Sequence, residues 1–201
     1  MEGPKKEFSP EEIASIVKEN AGLRERLTYD LNTGLLRTQD EGRQTILRKI
    51  ETIHRQGKRA CLLRLDINNL KGLNRIFGHE EVDEIIFPDL GKKLLGLAEE
   101  QDGVAMRYHQ AGDELGILIP LDDVIKVDSV THQLDDFYVE TPEGKRKLTF
   151  TIGVAHEDEP EVKRKIEELD DKGKDLSEEG RLFTALSKIA DQRERELERK
   201  K

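Results

Sequence analysis

Two acidic clusters stand where apolar segments end. Asp66 closes the run Ala60-Cys61-Leu62-Leu63-Arg64-Leu65, and Asp113-Glu114 separates Val104–Tyr108 from the apolar run Leu115–Pro120. A carboxylate at the end of a buried strand is costly unless a metal ion or a ring of donors compensates it. A lone Asp in that place serves equally well as a cap. The second cluster weakens the capping alternative, because Gly112 precedes two acids that lead straight into an apolar strand. A plain hairpin tip favours Asn-Gly or Asp-Gly instead. Brought together by neighbouring strands, the clusters would hold a divalent cation, Mg2+ or Mn2+, and so support phosphoryl chemistry. Residues nearby have matching capacities. Lys71 can pair with phosphate, Asn74 can give and accept, and Asp83 can accept from the N–H groups of guanine. Each alone is more often a solvated or capping residue. His79, after Gly78, reads as the cap of a following helix.

These residues need elements to position them. Ser9-Pro10-Glu11-Glu12 is a helix start, and the helix runs to about Leu27 with a loose apolar stripe of Ile13, Ile16, Val17, Leu23 and Leu27. Asp30–Gly34 is turn chemistry. A second helix covers Thr38 to Arg55, followed by the strand Ala60–Asp66 and a loop over Asn68–Asn74. A third helix is expected over Glu80–Glu100, kinked or split by Pro88. Val104–His109 and Glu114–Pro120 read as a hairpin, with Gln110–Asp113 at its tip. Leu121–Leu134 reads as a helix, and Phe137–Val139 and Leu148–Val154 as strands flanking the turn Pro142-Glu143-Gly144. The charged stretch His156–Gly180 reads as a solvated excursion, with one short helix at Glu161–Leu169 and a loose loop around Asp171–Asp175. A final helix starts near Ser177. Helices alternating with strands indicate an α/β domain with a mixed sheet.

Composition narrows the classes. The chain has 201 residues, enough for one cored domain with appended helices, and no internal repeat. Its 34 Lys and Arg against 43 Asp and Glu leave a net charge of −9, which argues against a general nucleic-acid binder. The single cysteine, Cys61, lies in an apolar run and reads as a core residue, consistent with a cytoplasmic location. No apolar stretch approaches the ~20 residues of a membrane helix, and residues 1–7 lack the apolar core of a signal peptide.

Five segments, in order, resemble one family. Asp30-Leu31-Asn32-Thr33-Gly34-Leu35 resembles the D-x-L-T-G-L opening of GGDEF domains. Leu65–Asn74 is similar to their D-I-D-x-F-K-x-x-N-D stretch, and Phe77–Asp83 to G-H-x-x-G-D. Ala111-Gly112-Asp113-Glu114-Leu115 stands at the signature, and Thr151-Ile152-Gly153-Val154-Ala155 at the late S-I-G-V-A strand. The resemblance implies a palm-like, nucleotide-cyclase-like fold with a mixed, mostly antiparallel central sheet flanked by helices. It divides the chain into a signalling or linker helix (1–27) and a GGDEF-like domain (28–201) with a charged insertion (156–180). It implies diguanylate cyclase activity, in which two GTP molecules become cyclic di-GMP across a transient homodimer, or one held by the N-terminal helix. Asp66, Asp113 and the Ile67 carbonyl would ligate the metal, and Glu114 and Asp113 would be catalytic. Asn74 and Asp83 would read guanine. Lys71 and the backbone around Asn69 and Leu70 would hold phosphates.

The departures are specific. Ala111 replaces the first signature glycine and Leu115 the phenylalanine, and His109 stands where an arginine is common. Asn68 replaces the second acid of D-I-D, Arg75 the aspartate after Asn74, and Val82 the glycine before Asp83. Glu198 falls where the resemblance expects a phosphate-binding lysine. Asp102 and Ala105 occupy the positions of the R-x-x-D product-inhibition site. The alternative to a working cyclase is thus a catalytically inactive GGDEF-like domain that binds GTP or serves as a dimerisation or interaction module.

Overall fold

The sheet is built around β2 (Arg59–Ile67), which pairs antiparallel with β4 (Glu114–Leu121) on one side and β7 (Phe150–His156) on the other. β3 (Val104–Arg107) pairs antiparallel with β4, and a two-residue strand, β1 (Leu36–Arg37), joins β3 in parallel. The order is β1-β3-β4-β2-β7. The computed structural model describes residues 9–109, 112–121, 124–171 and 176–200. The mixed, mostly antiparallel sheet flanked by helices is the expected class. The expected hairpin tip lies partly outside the described residues, at Gln110 and Ala111.

Alternation along β2 sorts its side chains onto two faces. Cys61, Leu63, Leu65 and Ile67 enter one buried cluster, with Leu73 of α3 (Leu70–Phe77), Leu90 and Leu94 of α5 (Phe87–Glu100) and Leu134 of α6 (Val124–Asp135). Ala60 and Leu62 enter the other, with Ile46 and Ile50 of α2 (Asp40–Arg55), Val162 and Leu169 of α7 (Pro160–Asp171), and Leu182 and Leu186 of α8 (Glu178–Glu198). Each fully buried Leu, Ile or Val side chain among them stabilises the fold by about 1.5–3 kcal/mol before entropy is counted. The second face changes character as β2 proceeds, because Arg64 and Asp66 follow Leu62 on it.

Several segments differ from expectation. The stretch Asn68–Asn74, expected as a loop, turns into α3 after Asn69, which sits in the left-handed region at φ 61°. Leu73 gives that helix a buried anchor. The expected helix Glu80–Glu100 is split: α4 (His79–Glu81), a π-helical turn over Val82–Ile86, and α5 with Pro88 in its first turn. Proline has no N–H to give back to the previous turn, and the wider π turn accommodates that loss. The hairpin after α6 is β5 (Tyr138–Thr141) with β6 (Gly144–Lys147), a separate two-stranded sheet, whereas β7 belongs to the main one.

The stretch 156–180 is not simply a solvated excursion. Its helix α7 is longer than expected and buries Val162 and Leu169 against α8. Of the loop expected at Asp171–Asp175, Asp171 closes α7, and 172–175 lie outside the described residues. α1 (Pro10–Thr28) starts with a full capping box between Ser9 and Glu12 and leaves Ile16, Val17, Leu23 and Leu27 exposed. Among the described residues, no helix is long and apolar enough to cross a membrane.

Candidate active site

The two acidic clusters meet. Asp66 of β2 stands opposite Glu114 of β4 in the antiparallel register, with Thr151 of β7 on its other side. The Asp66 carboxyl is pushed up from 3.8 to about 7, first by burial and then by the negative charges of Asp113 and Glu198. Glu198, at the last position of α8, hydrogen-bonds to Asp66. The residue standing at the expected lysine position therefore brings another carboxylate onto the same group.

One row back along β2, Arg64 answers this charge. Its neighbours in register are Gly116 of β4 and Gly153 of β7, so no side chain beside it competes for the space above the strands. The guanidinium lies 4.4 Å from the centre of the Tyr108 ring. Its Nη2 is 2.9 Å from Glu114 Oε1 and 3.1 Å from Asp191 Oδ1, and its Nε is 3.3 Å from Glu194 Oε2. Arg64 is 7% exposed and Glu194 4%. The Glu194 carboxyl is raised to about 7, chiefly by burial, against the opposing pull of Arg64. Glu114 is thereby engaged on both oxygens, the second being 3.5 Å from His109 Nε2. Arg64, Asp191 and Glu194 were absent from the residues expected at the site. An arginine inside the apolar run Leu62-Leu63-Arg64-Leu65 was the available signal, since a cation in a buried strand must have acids waiting for it.

A second buried pair fixes the approach to Asp113. Asp30 Oδ1 accepts from Thr33 N (3.0 Å), Thr33 Oγ1 (2.8 Å) and Arg107 Nη1 (2.9 Å). Arg107 in turn donates from Nε and Nη2 to the Gly112 carbonyl at 3.1 and 3.0 Å, and lies 4.1 Å from the centre of the Phe87 ring. The turn at Asp30–Gly34 is thus stapled to the residue before Asp113. His109 is exposed and takes no part in this staple. The arginine that organises this end of the hairpin is Arg107, two residues earlier.

The β2–α3 junction supplies polar groups of a different kind. Asn68 gives no acid but ties β2 to β7, donating to Thr149 Oγ1 (3.1 Å) and accepting from Thr151 Oγ1 (2.8 Å). Asn69 turns the chain so that α3 begins at Leu70. The first amides of a helix have no acceptor within it, so those of Leu70 and Lys71 are suited to an anion. Lys71 and Asp83 are exposed. Asn74 keeps a buried Oδ1 with no hydrogen-bond partner. His79 does not cap: Gly78 holds the cap position, without a side-chain hydrogen bond. Asp102 is held by Lys49 at 2.6 Å, and Ala105 is in the core.

A model of the GGDEF domain of diguanylate cyclases matches residues 28–181. The chain belongs to this family. Solved GGDEF domains share its fold. The FimX GGDEF domain of Pseudomonas aeruginosa is 14% identical with a TM-score of 0.57, over 84% of this chain and 94% of that one. A sensory box/GGDEF family protein of Caulobacter crescentus CB15 is 19% identical with a TM-score of 0.60, over 87% and 99%. The coiled coil and GGDEF domain of DgcB from Caulobacter crescentus, in complex with c-di-GMP, is 18% identical with a TM-score of 0.57, over 82% and 91%. No curated protein matches the chain.

Among the described residues of this GGDEF domain, no three His, Cys, Asp or Glu side chains converge as a ready-made metal cage. Mg2+ does not require one. It is commonly held by one or two carboxylates, with water and substrate phosphates completing the octahedron. The donor set fits that mode, since Asp66 carries a burdened carboxyl beside Asp113 and no Lys or Arg among the described residues pairs with it.

Proposed function

We propose that this GGDEF domain binds GTP with Mg2+ or Mn2+ and joins two GTP molecules into cyclic di-GMP, releasing pyrophosphate. The observation that carries the reading is the crowding of Asp66 by Asp113 and Glu114, which a divalent cation would relieve. A cation held by Asp66, Asp113 and the Ile67 carbonyl would neutralise charge on the transferring phosphate. Asn74, whose buried Oδ1 lacks a partner, and the exposed Asp83 would orient guanine. The first-turn amides of α3 and Lys71 would hold the phosphates. The two GTP molecules require two copies of the chain. The stripe Ile16, Asn20, Leu23, Leu27 on α1 follows coiled-coil spacing, with a polar Asn of the kind that sets the register of paired helices.

Two contacts favour the second reading, a domain that binds GTP without turnover. Glu198 hydrogen-bonds Asp66 from the position where a phosphate-binding lysine was expected, and Arg64 already occupies one oxygen of Glu114 at 2.9 Å. Incubation with GTP and Mg2+ or Mn2+, followed by nucleotide chromatography, decides between them. The first reading expects cyclic di-GMP and pyrophosphate, both lost in Asp113→Ala. Absence of both products at high protein concentration overturns it, and GTP binding by calorimetry then supports the second.

A further inference from the structure

A cleft of about 330 Å3 opens between α2, α8 and the β3–β4 hairpin. Asp66, Asn74 and Asp83 line no part of it. Four cations do: Arg43 from α2, Arg64 from β2, and Lys188 and Arg195 from α8. Two carboxylates, Glu114 and Asp191, share the wall. Arg64 pairs with both, and Arg195 Nε lies 3.1 Å from Asp191 Oδ1, so these acids are already matched. Arg43 and Lys188 pair with no carboxylate among the described residues.

Arg43 is the costly one. It is partly buried, and its Nη2 reaches only neutral oxygens, Gly180 O at 3.4 Å and Thr184 Oγ1 at 3.3 Å, while the guanidinium lies 5.3 Å from the centre of the Phe183 ring. Burial lowers its affinity for its proton, with no neighbouring acid to restore it. A cation withdrawn from water without a counter-ion is unfavourable, and a chain of net charge −9 has acids to spare for it. Hydroxyl donors stand beside it. Tyr108 Oη and Ser187 Oγ are 3.2 Å apart on the same wall. Thr184, Ser187, Lys188, Asp191 and Arg195 recur at helical spacing, so one stripe of α8 presents them together.

We propose that this cleft is an oxyanion site for the phosphoryl groups of a free di- or triphosphate, bordering the proposed GTP site at Glu114 but sharing none of its metal-, guanine- or phosphate-directed residues, and independent of metal. Two unmatched cations flanked by hydroxyls fit adjacent phosphoryl groups better than a single carboxylate, and the volume lies at the small end of ligand pockets. The test is calorimetric titration of the full chain with pyrophosphate in EDTA, where a metal-dependent site is silent. One site per chain is expected. Arg43→Gln and Lys188→Gln should each weaken binding by roughly tenfold, the loss of one charge-assisted contact, while Asp113→Asn should leave it unchanged. Lys188 is exposed, so its variant reports binding even if Arg43→Gln folds poorly. Three results would overturn the assignment: no pyrophosphate binding, binding that Lys188→Gln leaves untouched, or binding that Asp113→Asn removes. Co-sedimentation with anionic phospholipid vesicles without pyrophosphate binding would also overturn it, assigning the patch to a lipid surface.

Discussion

Asp66 sets a stability dependence that can be measured without any substrate. Its carboxyl has a folded pKa of about 7 against an ordinary 3.8, the first cause being burial. A carboxyl raised in this way contributes stability that is present below the unfolded value and is lost as pH rises through the folded one. The full difference corresponds to ~4 kcal/mol. Solvent reaching a partly exposed strand end reduces it to about half, ~2 kcal/mol. Urea unfolding in EDTA should therefore show the protein losing ~2 kcal/mol between about pH 4 and pH 8 from this group. Asp66→Asn should match the parent near pH 4 and exceed it by ~2 kcal/mol near pH 8. A residual slope in the variant belongs to Glu194, whose carboxyl is also raised to about 7 and acts in the same direction. Adding Mg2+ near pH 8 should stabilise the parent and not the variant. An unchanged pH slope in Asp66→Asn, or a variant less stable than the parent near pH 8, would refute the electrostatic account of this strand end.

Three other perturbations follow from the same contacts. Gly153→Ala would put a Cβ inside the contact distance of Ala190 O and Glu194 N on α8, and it should cost ~1–3 kcal/mol in chemical denaturation. Arg64→Met should cost ~3–5 kcal/mol by leaving Glu194 buried and unpaired, and Arg64→Met with Glu194→Leu should recover much of that loss in a double-mutant cycle. Leu23→Glu, at an exposed position of α1, should leave thermal stability unchanged while shifting the chain toward monomer in light scattering.

The acids and the sheet were legible because both follow short-range rules. Alternation in β2 and the turn chemistry at Asp30–Gly34 are local, and the motif order made the pairing of Asp66 with the signature strand predictable. What escaped depends on distant residues. Nothing near Asn69 marks a helix start, since its left-handed backbone replaces the usual side-chain cap. The charges of α7 concealed the spacing of Val162 and Leu169, which face α8 on a helix solvated elsewhere. His109 stands where an arginine is common, and nothing near Arg107 in the sequence marks it as the residue that binds the turn. Only the contact with Asp30, 77 positions away in the chain, shows which residue anchors the signature turn.

The acidity of the site is a property of the register of α8. Asp191, Glu194 and Glu198 are spaced i, i+3, i+7, so one face of the helix delivers all three acids toward the charged end of β2. The sheet accepts that face only because Gly153 has no side chain where Ala190 O and Glu194 N approach. Three acids delivered beside Asp66 and Glu114 would repel the helix, and Arg64 is the buried cation that holds two of them, Asp191 and Glu194, together with Glu114. It cannot reach everything: the Asp66–Glu198 pair lies one turn beyond its contacts and stays uncompensated within the described protein. That remainder is where a divalent cation has most to gain. Under the proposed function, an acid rather than a lysine at Glu198 would shift the electrostatic balance of the site from holding phosphate toward holding metal.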